Sequence, residues 1–67
     1  MNKVSVKGSD ELLLLLEEEL PAAALKCGCT WQLRDDGMCE IYTSFPAVKT
    51  LLSLWLDARG YQAVVVH

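Results

Sequence analysis

The sequence contains a single histidine, His67, in a terminal position where its side chain is expected to fray. Imidazole-based acid–base chemistry therefore has almost nothing to work with. Bases are also scarce: six lysines and arginines stand against nine acids, for a formal charge of −3. A generic nucleic-acid binder needs a basic footprint, and this balance disfavours one. The longest apolar run, Leu12 to Leu16, is far too short to span a membrane. The N-terminal MNKVSVKG has a lysine but no apolar segment behind it, so no signal peptide is expected, and the expected location is the cytoplasm. Three cysteines are an odd number, which argues against a disulfide framework and for a reducing compartment. No internal repeat, low-complexity tail or linker interrupts the chain, and 67 residues are expected to form one domain, 1–67.

What is present is concentrated first in Ser9 to Leu20, SDELLLLLEEEL. Ser9 is a good helix cap, and Asp10 and Glu11 stand where the helix dipole favours negative charge. Leu12, Leu13, Leu16 and Leu20 make a stripe at helical spacing, while Glu17, Glu18 and Glu19 spread over the exposed side. Pro21 cannot continue the ladder and biases Leu20 out of helical angles, so the helix should stop there. A loose extra turn is expected over Ala22 to Lys26, ending at Gly28.

Around this helix the chain alternates. Lys3 to Lys7, KVSVK, directs Val4 and Val6 to one side and Lys3, Ser5 and Lys7 to the other, as a half-buried strand requires. Thr30 to Arg34 alternates again, with Trp31 and Leu33 on one face. Asp35-Asp36-Gly37 reads as a hairpin turn, with glycine where a positive φ is needed. The partner strand is Met38 to Phe45, with Cys39, Ile41, Thr43 and Phe45 sharing a face. Pro46 suits the first turn of a second helix, whose stripe is Val48, Leu51, Leu52 and Trp55 and whose end is marked by Arg59 and Gly60. Tyr61 to Val66 closes the chain as a β-branched strand. The order β-α-β-β-α-β, joined by right-handed crossovers, predicts an α+β, ferredoxin-like sandwich: a four-stranded antiparallel sheet with two helices on one face.

In that topology the first helix start, the hairpin tip and the second helix end share a pole. Asp10, Glu11, Asp35, Asp36 and Asp57 then fall together, with Arg59 opposing them, and Glu17, Glu18 and Glu19 extend the acidity as a second set. Acids at caps and turns are ordinary solvation; gathered at one pole they also suit docking on a basic groove. The bare sheet face, carrying Lys3, Lys7, Arg34, Glu40 and Tyr42, is roughly balanced. Leu14, Leu15, Leu54 and Leu56 look surplus to so thin a core, and clustered they would mark a partner or dimer patch.

Other chemistry is thin. Cys27-Gly28-Cys29 has a spacing that can chelate a soft metal, but Cys39 is expected at the opposite pole, so a four-ligand site does not assemble. Neither a metal nor a cofactor is expected. Asp35 and Asp36 are adjacent turn residues rather than a poised pair, and no nucleophile has a base in reach, so no enzyme is expected. Heavy-metal-associated domains carry a Cys-x-x-Cys before their first helix, where this chain has Gly8-Ser9-Asp10. RNA-recognition domains stack bases on aromatic residues of the central strands, and only Tyr42 fits. Regulatory domains of the ACT type share the layout and pair into larger sheets; Gly8 could serve as their loop glycine.

In size, layout and acidic charge the whole chain resembles the small phage-encoded anti-CRISPR proteins, and is most similar to inhibitors of type I-C systems. These inhibitors share no motif, so no family residues carry over. The resemblance implies binding to a protein subunit of the crRNA-guided CRISPR-Cas surveillance complex and blocking its access to target DNA, without direct contact to nucleic acid or membrane. An acidic pole could compete for the lysines and arginines that such a complex uses to hold DNA. On this reading the protein acts as a monomer in the host bacterial cytoplasm. The alternative is a homodimeric ligand-binding or assembly module of ACT-like type, joined through Leu14, Leu15, Leu54 and Leu56.

Overall fold

The alternating N-terminal residues form strand β1, Asn2–Lys7, in a computed structural model that describes residues 2–20, 22 and 28–66, with only the backbone of Val66. Val4 and Val6 are buried, while Lys3 and Ser5 are half-buried and Lys7 is exposed. Helix α1, Asp10–Glu19, starts at Ser9, whose Oγ accepts a hydrogen bond from the Leu12 amide at 3.1 Å. It stops where proline chemistry dictates: Leu20 has φ −57° and ψ 133°, the extended conformation favoured before Pro21. Leu12, Leu16 and Leu20 are buried, a strict four-residue repeat down one side. The extra turn expected over Ala22 to Lys26 falls, Ala22 apart, outside the described residues.

Strands β2, Thr30–Leu33, and β3, Met38–Thr43, form the hairpin. Its three-residue loop is closed by Arg34 N–H donating to the Met38 carbonyl at 2.7 Å and Gly37 N–H to the Arg34 carbonyl at 3.1 Å. Gly37 has φ +86°, the left-handed position that ends such loops in a bulge. Asp36 Oδ1 accepts from the Met38 amide at 3.0 Å, so this carboxylate also orders the turn. Trp31 packs against the core as expected, but Leu33 is 52% exposed at the sheet edge.

Helix α2, Pro46–Ala58, follows. The strand before it is shorter than expected, because Pro46 makes Phe45 the extended residue that opens the helix. Phe45 is therefore 52% exposed instead of sharing the core face with Cys39, Ile41 and Thr43. The helix buries Val48, Leu52 and Leu56, flanked by Lys49. Leu51 and Trp55, expected in the buried stripe, lie on its margin: the first is 37% exposed and the second half-buried. At the C-terminus Gly60 N–H donates to the Asp57 carbonyl and Tyr61 N–H to the Leu56 carbonyl, both at 3.1 Å. With Gly60 at φ +86°, these two bonds make a Schellman motif. Strand β4, Ala63–Val66, completes the sheet.

The strand order is β2-β3-β1-β4, and each neighbouring pair is antiparallel. One core cluster joins Val4, Val6, Cys39 and Ile41 of the central strands to Leu12 and Leu16 of α1 and Val48, Leu52 and Leu56 of α2. The chain is thus a small α+β protein with a four-stranded antiparallel sheet and two helices, and its other sheet face carries Lys3, Ser5, Glu40 and Tyr42.

Candidate protein-binding site

The Gly8 amide donates to the Gly37 carbonyl at 2.8 Å. This bond fastens the β1–α1 junction to the hairpin tip. On the other flank Gly60, Tyr61 and Gln62 of the α2–β4 turn join Lys7, Gly8 and Ser9 in lining a cleft of about 460 Å³. Three chain reversals therefore meet at one end of the molecule. Asp10 and Glu11 open α1 beside Ser9, Asp35 and Asp36 precede Gly37, and Asp57 supplies the carbonyl that holds Gly60. All five carboxylate-bearing residues are exposed.

Their field is tempered by three cations at the same end. Arg34 lies with Nη2 3.4 Å from Asp36 Oδ2 and Nη1 3.7 Å from Glu40 Oε2. Arg59 stacks its guanidinium 4.6 Å from the centre of the Trp55 ring. Lys7 is exposed at the end of β1. Acids still outnumber bases, with Asp36 partly committed to its own turn. Glu17, Glu18 and Glu19 are exposed at the other end of α1, roughly 10–13 Å along a helix that rises 1.5 Å per residue. They form a separate acidic set, not a continuation of the pole.

The open sheet face carries Lys3, Glu40 and Tyr42 as expected, and the strand pairing encloses one of them. Glu40 is buried, its side chain only 8% exposed. It forms an ion pair with Lys3 and accepts a hydrogen bond from the Tyr42 hydroxyl at 3.1 Å. The Lys3 hydrogen bond is the chief reason that its carboxyl sits below the ordinary range; desolvation opposes this, while Tyr42 and the charges of Lys3 and Arg34 reinforce it. Register explains the cluster: Ser5 faces Glu40 and Lys3 faces Tyr42, so the lysine reaches Glu40 on the diagonal. The alternation of β3 puts Glu40 on this face, but only the strand pairing reveals that it is enclosed.

The thiols are placed for packing. Cys39 is buried in the core and Cys29 is half-buried against it. Burial pushes both thiols up, and the Glu40 charge adds to the effect at Cys39. Cys27, the other half of the Cys-Gly-Cys spacing, lies outside the described residues. Among the described residues no group of three or more histidines, cysteines and acids is arranged to hold a metal ion.

Of the four leucines expected as surplus, Leu14 and Leu54 are exposed, at 55% and 62%. Leu15 is half-buried. Leu56 is fully buried and belongs to the core, because it follows Val48 and Leu52 at four-residue steps along α2. With Leu56 in the core, no patch built on all four survives, and Leu14 of α1 and Leu54 of α2 remain as the exposed pair.

No protein-family model matches the sequence, and no curated protein or solved structure is significantly similar to it. Among the described residues, no helix is long and apolar enough to cross a membrane.

Proposed function

We propose that this chain is a ferredoxin-like, non-enzymatic inhibitor that docks its acidic pole on a basic groove of a partner protein. The partner is a subunit of a CRISPR-Cas surveillance complex, of type I-C, and the consequence is loss of target DNA binding. The observation that carries the reading is the hydrogen bond from Gly8 to Gly37, because it fastens the residues preceding Asp10 and Glu11 to the loop that bears Asp35 and Asp36. Carboxylates on one rigid end can steer association with lysines and arginines and fix its register. The strand order β2-β3-β1-β4 with antiparallel neighbours supports the ferredoxin-like topology. The size and acidic balance of the chain, 67 residues at −3, support the likeness to anti-CRISPR inhibitors. Such an inhibitor would act as a monomer in the cytoplasm of the host cell.

The test is a pull-down of the tagged protein with a purified type I-C surveillance complex, followed by a target-DNA gel shift. Binding with loss of the shift supports competition at the DNA site. Binding with the shift intact moves the blockade to nuclease recruitment. Absence of binding overturns the reading for this system.

A second reading, a homodimeric regulatory module of ACT-like type, draws on the exposure of Leu14 and Leu54. Light scattering separates the two. A stable dimer that Leu14→Lys or Leu54→Lys dissociates favours the module, and a monomer favours the inhibitor.

A further inference from the structure

The cleft of about 460 Å³ between the β1–α1 junction and the α2–β4 turn has a character of its own. Its lining contains no aspartate or glutamate, and its one charged residue is Lys7. Met38, Tyr61 and Val64 give it apolar walls, and Ser9 and Gln62 add neutral polar groups. Strand register brings the charge and the walls together. Lys7 faces Met38 across one side of β1, and Ser5, two residues earlier, faces Val64 across the other. Lys7, Met38 and Val64 therefore share the open face of the sheet. On that face Glu40 draws in Lys3 and Arg34, whereas Lys7 has no ion pair among the described residues. Arg59, next to the lining residue Gly60, holds its guanidinium over the Trp55 ring. Lys7 is thus the available cation of the cleft.

We infer that this cleft binds a small molecule that joins one carboxylate to an aromatic or branched aliphatic body. Its volume falls within the range of small-molecule sites, which combine apolar walls with a few polar groups that fix orientation. The body replaces water against Met38, Tyr61 and Val64, and the carboxylate meets the Lys7 ammonium. The number of charges follows from the surroundings. One unpaired lysine matches one negative charge, and Asp10 and Glu11, next in sequence to the lining residue Ser9, oppose a second. A phosphate monoester is therefore disfavoured. Because no acid lines the cleft, an ammonium group finds no partner there, so a free amino acid fits less well than the same acid without its amino group. The inference rests neither on the inhibitor reading nor on docking through the acidic pole.

The experiment is an NMR titration of the intact protein with hydrocinnamate, its neutral amide hydrocinnamamide, phenylalanine and acetate. Hydrocinnamate should shift the amides of Lys7, Gly8, Tyr61 and Val64 saturably. The neutral amide and phenylalanine should each bind about threefold to fivefold more weakly, the range of one solvent-exposed ion pair. Acetate, which lacks the apolar body, should bind at least roughly tenfold more weakly than hydrocinnamate. Lys7 is exposed, so Lys7→Met should leave the fold intact. It should abolish the preference for hydrocinnamate over its amide while the amide still binds. Val64→Trp, at a site 60% exposed, should obstruct the cleft and weaken both compounds together; Met38→Ala alters the same walls without adding bulk and should weaken both by a smaller factor. Equal binding of the acid and its amide, tighter binding of phenylalanine, or a preference that survives Lys7→Met each overturn the inference. So do acetate shifts as strong as those of hydrocinnamate, and the absence of saturable shifts at the cleft. The surveillance-complex pull-down is a separate result: its failure leaves the cleft assignment standing, and failure of the titration leaves the inhibitor reading standing.

Discussion

Gly8 and Gly37 approach so closely that neither the hydrogen bond between them nor the space around them tolerates a side chain on Gly8. The amide–carbonyl distance is 2.8 Å, and a Cβ on Gly8 would lie 2.7 Å from the same Gly37 oxygen and 2.6 Å from Leu33 Cδ1. The leucine can rotate away, but the carbonyl belongs to the hairpin backbone and cannot move without the loop. Gly8→Ala should therefore destabilise the protein by about 1–3 kcal/mol, the usual range for forced overpacking. Gly37→Ala meets no atom within 4 Å but places alanine at φ +86°, costing about 1–2 kcal/mol from backbone strain. Urea unfolding measures both, and Gly37→Asn should be milder than Gly37→Ala. Equal stability of Gly8→Ala and wild type would show that the junction is looser than the structure has it.

Leu54 and Leu56 offer a paired test of the packing. Leu56 is fully buried and Leu54 is 62% exposed. Leu56→Ala should cost about 2–5 kcal/mol, a large share of the stability of a domain this small. Leu54→Ala should stay within about 0.5 kcal/mol of wild type. Thermal unfolding of the two variants would expose a wrong rotation of α2, since the order of their effects would then reverse.

Glu40 sets a pH dependence with a definite sign. Its carboxyl is held below the ordinary carboxylate value, first by the Lys3 hydrogen bond. The folded protein therefore binds that proton less tightly than the unfolded chain does. Its contribution is complete above the ordinary carboxylate range and disappears as pH falls through the depressed value. Stability measured by urea from neutral pH down to about pH 3 should decline on the acid side, and Glu40→Gln should flatten part of that decline. Lys3→Met should flatten it too. An acid limb unchanged in both variants would remove the cluster from the account.

Charge reversal at the pole must respect the turn. Asp36 Oδ1 holds the Met38 amide, so Asp36→Lys would disturb the hairpin as well as the field. Asp36→Asn keeps the acceptor and removes only the charge. Combined with Asp10→Lys, Glu11→Lys, Asp35→Lys and Asp57→Lys, it should leave the circular dichroism spectrum unchanged and abolish inhibition. Reversal of Glu17, Glu18 and Glu19 should have a smaller effect, because they occupy the far end of α1. Full inhibition by the folded pole variant would refute docking through these acids.

Much of the fold was legible because its determinants are local. Ser9, Pro21, Gly37 and Gly60 act within a few residues of themselves, and each bounds an element as expected. The alternation of Lys3 to Lys7 needs no partner to declare which valines are buried. Phe45 was misread because its parity within β3 matters less than the proline that follows it. Leu56 was misread because the second stripe was drawn through Leu51 and Trp55, about a fifth of a turn from its true centre line. Enclosure of Glu40 depends on Lys3, Arg34 and Tyr42, which converge only through strand register. The cleft was hidden for the same reason: Met38, Tyr61 and Val64 come from separate elements, and no period in the sequence joins them.

The sheet order also sets how the molecule must be assembled in time. β1 is the earliest strand in the chain yet occupies the interior of the sheet, where Lys3 faces Tyr42 on one side and Val66 on the other. Helix α1 and the β2–β3 hairpin can form from near neighbours, but the middle of the sheet waits for large loops to close. Closure of that kind delays the reward for ordering the chain, so folding should be slower than in a helical bundle of equal length. During that delay both sides of β1 are unpaired, and it is this strand, rather than the leucine-rich helix, that a folding chain has most need to shield from its neighbours.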